Sequence, residues 1–442
     1  MKEFKVHITE LGPIKDAVIQ LSPLMIFTGK SSLGKSYVNF LSYYVFDLFG
    51  NNGLYRFLES KIEGKNFKDH TFSFGFKIDE MRQWMSEDVR QFMRELLAYK
   101  DLVCDIDFQF GNDTDNDIKV LVKDFGALNP VRDRESFNQE VVDNSYRQIS
   151  IRITSNEPSI WPREVSAITL DSNLSFTISR SVSQLLSYKL LGKLFMYAFL
   201  LPPGRTSLIN NSFSVKKVVS NTGMYDRFLH DYDSLQNQNF RFNHQKEDNQ
   251  FFISQIKRLI HGDVVTEKEE QYLLLDNGQK IPLSAAASSI RELSPLLFWI
   301  KNKNIEMSSV CIEEPEAHAH PEMQHGIADL LASCLNKGAF LQITTHSDFF
   351  LTRINQLIRL YKFQQNHPDE FENSEFKRNK RQLINPQDVK AYYFALSEST
   401  GHVIIQEQQL EDGIPFDSFR DPITLHFEFD NKLNQLIRDD DK

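Results

Sequence analysis

At 442 residues with 41% hydrophobic content, the chain has room for two or three cores. Lys and Arg total 50 against 60 Asp and Glu, and the formal charge of -10 excludes a surface that coats nucleic acid indiscriminately. The three cysteines, Cys104, Cys311 and Cys334, stand too far apart for a disulfide framework or a CxxC zinc site; the first residues lack a secretion signal's apolar core; and no apolar run nears the roughly 18 residues that cross a bilayer. A cytoplasmic protein without membrane contact is expected, and any contact with nucleic acid must be local.

Residues 4–9, 15–20 and 24–28 alternate or run apolar between turn signals, which predicts three short strands. Beyond Gly34 the apolar positions Val38, Leu41, Val45 and Leu48 recur at helical spacing, completing a strand, loop, helix unit. From about 51 to 190 the texture becomes mixed helix and strand, with a charged helical stretch over 81–100 and a polar hairpin predicted around Gly111 to Asp117. This reads as an inserted lobe. Buried character returns over 194–203, then a polar connection (232–249) leads to helices and a hairpin at Asp276-Asn277-Gly278. Residues 307–312 and 340–345 predict buried strands around a helix with Met323, Ile327, Leu330, Leu331 and Cys334 on one face. That β-α-β pattern implies a parallel sheet. The 96 residues after His346 predict a helix, a charged connection, strands near 389–397 and 402–407, and a final amphipathic helix. The 36 Phe residues are expected to fill cores.

Gly29-Lys30-Ser31-Ser32-Leu33-Gly34-Lys35-Ser36 matches GxxxxGK[ST] and sits between a predicted strand and a predicted helix, the context a P-loop requires. In such a loop backbone N–H groups cradle the phosphates of ATP, Lys35 reaches the β and γ oxygens, and Ser36 ligates Mg2+. Glu313 and Glu314 end a buried strand as adjacent carboxylates. Strand side chains alternate, so Glu313 is expected to hold Mg2+, directly or through water, and Glu314 to orient and deprotonate the attacking water. His346 ends the next strand at the carboxyl edge of the sheet, where an imidazole meets a γ-phosphate unless it is merely structural. Glu316, His318 and His320 alternate along the chain, but His320-Pro321-Glu322 reads better as a helix start than as a zinc site. Ser288 admits two readings that spacing does not separate. It precedes an ordinary helix start with a capping box from Ser289 to Glu292, or it presents a helix N-terminus to a phosphate on another subunit. Lys377, Arg378, Lys380 and Arg381 lie among acids and read as a solvated loop.

Together these motifs resemble the ATP-binding-cassette type of ATPase found in OLD-like and RecF-like AAA proteins of bacteria. The resemblance rests on Gly12-Pro13-Ile14-Lys15, the P-loop, Leu201-Pro202-Pro203-Gly204-Arg205, Ser288, the run Glu313 to Pro321, and Thr344-Thr345-His346-Ser347. It implies an α/β P-loop NTPase of the ABC-ATPase head type, a mixed sheet with flanking helices plus an inserted α+β lobe. Residues 1–50 and 191–350 would form the head, 51–190 the lobe and 351–442 a C-terminal extension. Ser288 maps to the signature serine, Glu316 to Pro321 to the dimer loop, and His346 to the switch histidine. Two heads would stack head to tail as a homo-oligomer, each signature helix completing the other head's ATP site.

Ile290 stands where the signature carries a glycine, Ser31 or Ser32 replaces the usual P-loop asparagine, and no glutamine loop is evident, so slow or asymmetric hydrolysis is expected. The lobe lacks the heptads of an SMC-like rod. No Toprim-like acidic cluster follows His346, so the resemblance implies a separate effector, a nuclease, as in the stand-alone ATPases of Septu- and PARIS-type antiphage systems. A RecF-like repair ATPase clamping DNA and a non-hydrolysing nucleotide-gated scaffold are the alternative readings.

Overall fold

A computed structural model describes residues 3–62, 71–110, 117–127, 146–155, 164–170, 174–209, 223–236, 246–267, 270–411, 413–416 and 424–433. Strands β1 (Phe4–Leu11), β2 (Ile14–Gln20) and β3 (Leu24–Gly29) lead through a loop into helix α1 (Lys35–Gly50), as the periodicity predicts. There follow α2 (Tyr55–Ile62), β4 (Thr71–Lys77), α3 (Ile78–Leu96), β5 (Cys104–Phe110), β6 (Asp117–Ala127), β7 (Tyr146–Ser155), β8 (Glu164–Leu170), α4 (Leu174–Leu191) and β9 (Tyr197–Leu201). The chain continues through α5 (Thr206–Ile209), α6 (Gly223–Gln236), α7 (Lys246–Ile260), β10 (Gly262–Glu267), β11 (Glu270–Leu275), β12 (Lys280–Pro282) and α8 (Ser288–Asn302). Then come β13 (Ser308–Glu313), α9 (Pro321–Asn336), β14 (Phe340–Thr344), α10 (Asp348–Asn366), α11 (Pro368–Asn373), β15 (Val389–Leu396) and β16 (Val403–Glu407), with 424–433 also helical.

Nine strands form one mixed sheet in the order β5-β1-β2-β16-β15-β3-β14-β13-β9. The run β15-β3-β14-β13-β9 is parallel, and β5-β1-β2 is antiparallel. Side-chain alternation divides these buried strands between two cores. Met25, Phe27, Ala198, Leu200 and Cys311 face the layer that holds α1 and α3. Leu24, Ile26, Phe199, Leu201, Val310 and Ile312 face the layer that holds α8, α9 and α10. The chain is therefore an α/β protein with a mixed sheet and helices on both faces. A separate four-stranded antiparallel sheet, β4-β6-β7-β8, lies within the predicted lobe, and β10-β11-β12 form a third sheet that includes the hairpin expected at Asp276-Asn277-Gly278.

Three places in the structure bear on the expectation. The hairpin predicted around Gly111 to Asp117 falls on 111–116, outside the described residues; of the strands on either side, β5 pairs with β1 and β6 with β4 and β7. Cys104, Ile106, Phe108 and Phe110 of β5 are buried, and the strand pairs with β1. The lobe thereby contributes β5 to the main sheet. Likewise β15 and β16 sit between β3 and β2, so the segment after 350 completes the central sheet. The connection predicted over 232–249 is helical at both ends, because α6 runs to Gln236 and α7 starts at Lys246.

Helix α8 is the buried spine of the second core. Pro295 lies inside it, and Ser294 Oγ donates at 2.9 Å to the Arg291 carbonyl that the missing proline N–H would have served. Trp299 is fully buried against this core. Replacing it with Ala should cost about 3–5 kcal/mol, measurable as a lower midpoint of urea unfolding. A loss under about 1 kcal/mol would show that this core tolerates the cavity. Among the described residues no helix is long and apolar enough to cross a membrane.

Candidate nucleotide site

The carboxyl ends of parallel strands are where open α/β sheets leave a crevice for ligands. Here the ends of β3, β13 and β14 meet the N-terminus of α1 around a cavity of about 390 Å3. Its walls include Ser31, Ser32, Gly34, Lys35, Ser36, Glu313, Glu314 and His346. Eight of the twelve expected site positions thus converge on one space. Gly29, Lys30 and Leu33 are part of the loop but not of its lining, Leu33 packing instead on the apolar core, and Ser288 lies elsewhere.

The loop backbone explains its composition. Gly29 has φ 131°, and a Cβ there would meet the Phe394 carbonyl at 2.5 Å; β15 packs too closely for any side chain. Ser32 (φ 65°) and Gly34 (φ 85°) are left-handed, the alternation that turns successive N–H groups into an anion-binding concavity. Lys35 is buried, and its Nζ donates to the Gly29 carbonyl at 3.0 Å and the Lys30 carbonyl at 2.7 Å. Burial brings the Lys35 ammonium down to about 8, against the opposing fields of Glu313 and Glu314.

The two adjacent carboxylates have different surroundings. Glu313 is buried: Ser36 Oγ donates to its Oε2 at 2.6 Å and Asn39 Nδ2 to its Oε1 at 2.7 Å. Burial raises its pKa, and the bonds from Ser36, Asn39 and Thr344 work in the other direction. A hydroxyl and a carboxylate side by side are hard oxygen donors, the set Mg2+ takes, so the residues present fit that ion. Glu314 is only half-buried and reaches the cavity from a left-handed backbone at φ 47°. Its N–H donates to Thr344 Oγ1 at 3.3 Å, which helps hold a conformation that a non-glycine residue adopts at a cost of about 1–3 kcal/mol. The β13 alternation therefore ends at Glu313, and the turn aims Glu314 at the cavity.

His346 completes the rim. Partial burial and then the Lys35 cation hold its imidazole below the ordinary histidine value, with Glu314 opposing. Its N–H donates at 2.8 Å to Glu316 Oε1, which also accepts from Thr345 Oγ1 at 2.6 Å. Glu316 is buried, and burial raises its pKa. It thus braces the His346 turn rather than standing with His318 and His320 as a ligand set. His320 is the N-cap of α9, accepting from the Glu322 N–H at 3.4 Å ahead of Pro321, the predicted helix start.

Ser288 opens α8, exposed to solvent, with Ala287 as N-cap and no side-chain cap. The capping box expected from Ser289 to Glu292 is absent. The Glu292 carboxylate is instead buried with Arg205 Nη1 at 3.3 Å and with the N–H and hydroxyl of Thr206. A buried ion pair outcompetes a local cap. Sequence reasoning missed Asn39 and the bracing role of Glu316, named Arg205 only within the 201–205 run, and took Glu292 for a capping residue. Asn39 alone carried a signal, three residues after Ser36 on the same face of α1.

The AAA ATPase domain family matches residues 1–351, about four fifths of the chain. The chain belongs to this family of P-loop ATPases. Among solved structures it is similar at 10% identity to an Smc head bound to the C-winged helix domain of ScpA, with a TM-score of 0.39, covering 93% of this chain and 98% of that one. It is also similar at 10% identity to the SMC head domain from Thermotoga maritima, with a TM-score of 0.33, covering 92% and 100%. A third similarity, again at 10% identity, is to the Smc head domain with an extended coiled coil bound to the C-terminal domain of ScpA derived from Pyrococcus furiosus, with a TM-score of 0.39, covering 93% and 97%. No curated protein matches the chain in sequence.

Proposed function

We propose that the chain is an ABC-type ATPase whose Mg-ATP-dependent, head-to-tail association controls a separate effector. The convergence of Lys35, the Ser36–Glu313 pair, Glu314 and His346 on one cavity carries the catalytic half of this reading. Loop N–H groups and Lys35 bind the phosphates, Lys35 exchanging its two carbonyl partners for β and γ oxygens. Ser36 and Glu313 hold Mg2+, which when bound neutralises charge on the phosphates. Glu314 receives the proton of the attacking water, and the neutral imidazole of His346 meets the γ-phosphate.

Association is supported by α8, whose first turn leaves Ser288 exposed and uncapped, away from its own chain's P-loop cavity. Such a terminus suits a phosphate held by a second copy. Ile290 follows those serines, so hydrolysis is expected to be slow. Antiphage defence and a nuclease as effector rest on the likeness of the motif set to Septu- and PARIS-type ATPases, and a cytoplasmic location rests on the three scattered cysteines.

The test is Mg-ATP turnover as a function of chain concentration, with molar mass measured by light scattering. Wild type should turn over faster per chain as concentration rises and should double its mass with ATP. Ser288→Arg should bind ATP yet stay single and inactive. Wild-type behaviour in Ser288→Arg would remove α8 from the mechanism, and absence of ATP binding in both would remove the P-loop reading.

A further inference from the structure

Arg205 is the least expected feature of the head. It follows β9, is 1% exposed, and its guanidinium lies between the end of β13 and the first turns of α8. Nη1 donates to the carbonyls of Glu313 at 2.9 Å, Pro202 at 3.0 Å and Leu201 at 3.4 Å, while Nε donates to the Glu292 carbonyl at 2.9 Å. The Glu292 carboxylate, 2% exposed, closes the arrangement through Arg205 Nη1 and through Thr206. Burying an ion pair recovers little net stability, because desolvation offsets the attraction; here the pair comes with four hydrogen bonds from Arg205 to backbone carbonyls of three separate segments.

The geometry fixed here joins two ends that the proposed function uses. The Glu313 side chain bonds Ser36 and Asn39 of α1, and its carbonyl bonds Arg205. Arg205 bonds Glu292, four residues after Ser288 in α8. Ser36, Glu313, Arg205, Glu292 and the α8 N-terminus are thus linked by hydrogen bonds and one short helical turn, with no flexible loop between the phosphate site and the proposed partner-facing surface.

We propose that Arg205 and Glu292 form a buried tether through which nucleotide in the P-loop cavity sets the position of the first turn of α8. Arg205 acts through Glu313 and Glu292 and is a positioning residue, not a catalytic one. The proposal rests on the ATPase reading above and adds the route by which one chain's occupancy prepares the surface offered to the next.

Hydrogen exchange of the full chain with and without Mg-AMPPNP tests it, at a concentration where light scattering shows single chains. Wild type should gain protection both over 29–40 and over 288–292. In Glu292→Gln and Arg205→Gln the gain over 29–40 and the nucleotide Kd should persist, while the gain over 288–292 should fall by about fivefold or more. Arg205→Lys, which keeps the charge, should recover part of it. Thr206→Val removes one hydroxyl bond and serves where a charge variant fails to fold; it should lower the α8 response without altering that of the P-loop. Protection over 29–40 with none over 288–292 in wild type, or an α8 response unchanged in every folded variant, would overturn the tether. Absence of protection over 29–40 would instead overturn the nucleotide reading, and the tether with it.

Discussion

Replacing Glu314 with Gln is expected to leave ATP binding intact and to reduce turnover about 10²–10⁴-fold, the usual contribution of a general base. The substitution keeps size and hydrogen-bonding reach while removing the proton acceptor. Glu314 suits this role better than its neighbour because Glu313, though in the cavity wall, is buried and already has both oxygens engaged, by Ser36 and Asn39. Glu314 is half-buried, lines the cavity with His346, and is aimed there by a left-handed backbone. Nucleotide retention and phosphate release measured together separate the outcomes. A variant that retains ATP without releasing phosphate assigns the base. A variant that hydrolyses at the wild-type rate removes Glu314 from the chemistry and leaves water activation to His346 or to the γ-phosphate itself. If wild type also retains ATP without turnover, the bulk of Ile290 beside Ser288 becomes the first residue to change, through Ile290→Gly.

The elements of this site that could be read in the sequence are those whose chemistry is local. A P-loop is eight contiguous residues whose glycines and lysine serve the same ligand. Glu313, Glu314 and His346 stand at or just beyond the ends of strands that can be recognised from apolar runs alone. Asn39 meets Glu313 across 274 positions and Arg205 meets the Glu313 carbonyl across 108, and no periodicity encodes such pairings. The failed capping box is instructive for the same reason. Ser289 and Glu292 have the right types at the right spacing, yet Thr206 and Arg205, brought in by the tertiary fold, claim the carboxylate. The sheet behaves likewise. Strand existence was legible for β15 and β16, but their insertion between β3 and β2 was not, because it depends on burial of Tyr392 and Phe394 beside Phe27. The pairing of β5 with β1 was likewise not legible, because it joins strands about a hundred residues apart.

Lys35→Ala should weaken ATP binding by about 100-fold or more, since charge-assisted hydrogen bonds to two phosphate oxygens contribute about 1.5–3 kcal/mol each. The loop itself should survive, because among the described residues Lys35 Nζ bonds the Gly29 and Lys30 carbonyls, while Gly29, Ser32 and Gly34 set the backbone independently. The same lysine predicts a pH dependence whose sign follows from its burial. In the free protein Lys35 titrates at about 8, so at pH 7 it is already charged and binding needs no proton. Phosphate oxygens raise its pKa in the complex, so above pH 8 binding must take up a proton, and affinity should fall about tenfold per pH unit until the complex itself titrates. Isothermal titration of ATP in EDTA, so that no metal competes, checks this in buffers of different ionisation enthalpy. Between about pH 7 and 8 wild type should show little change in Kd from this group, with proton uptake growing above pH 8. Lys35→Ala should bind weakly with no slope from this group, whereas binding within a few-fold of wild type would detach the cavity from ATP altogether.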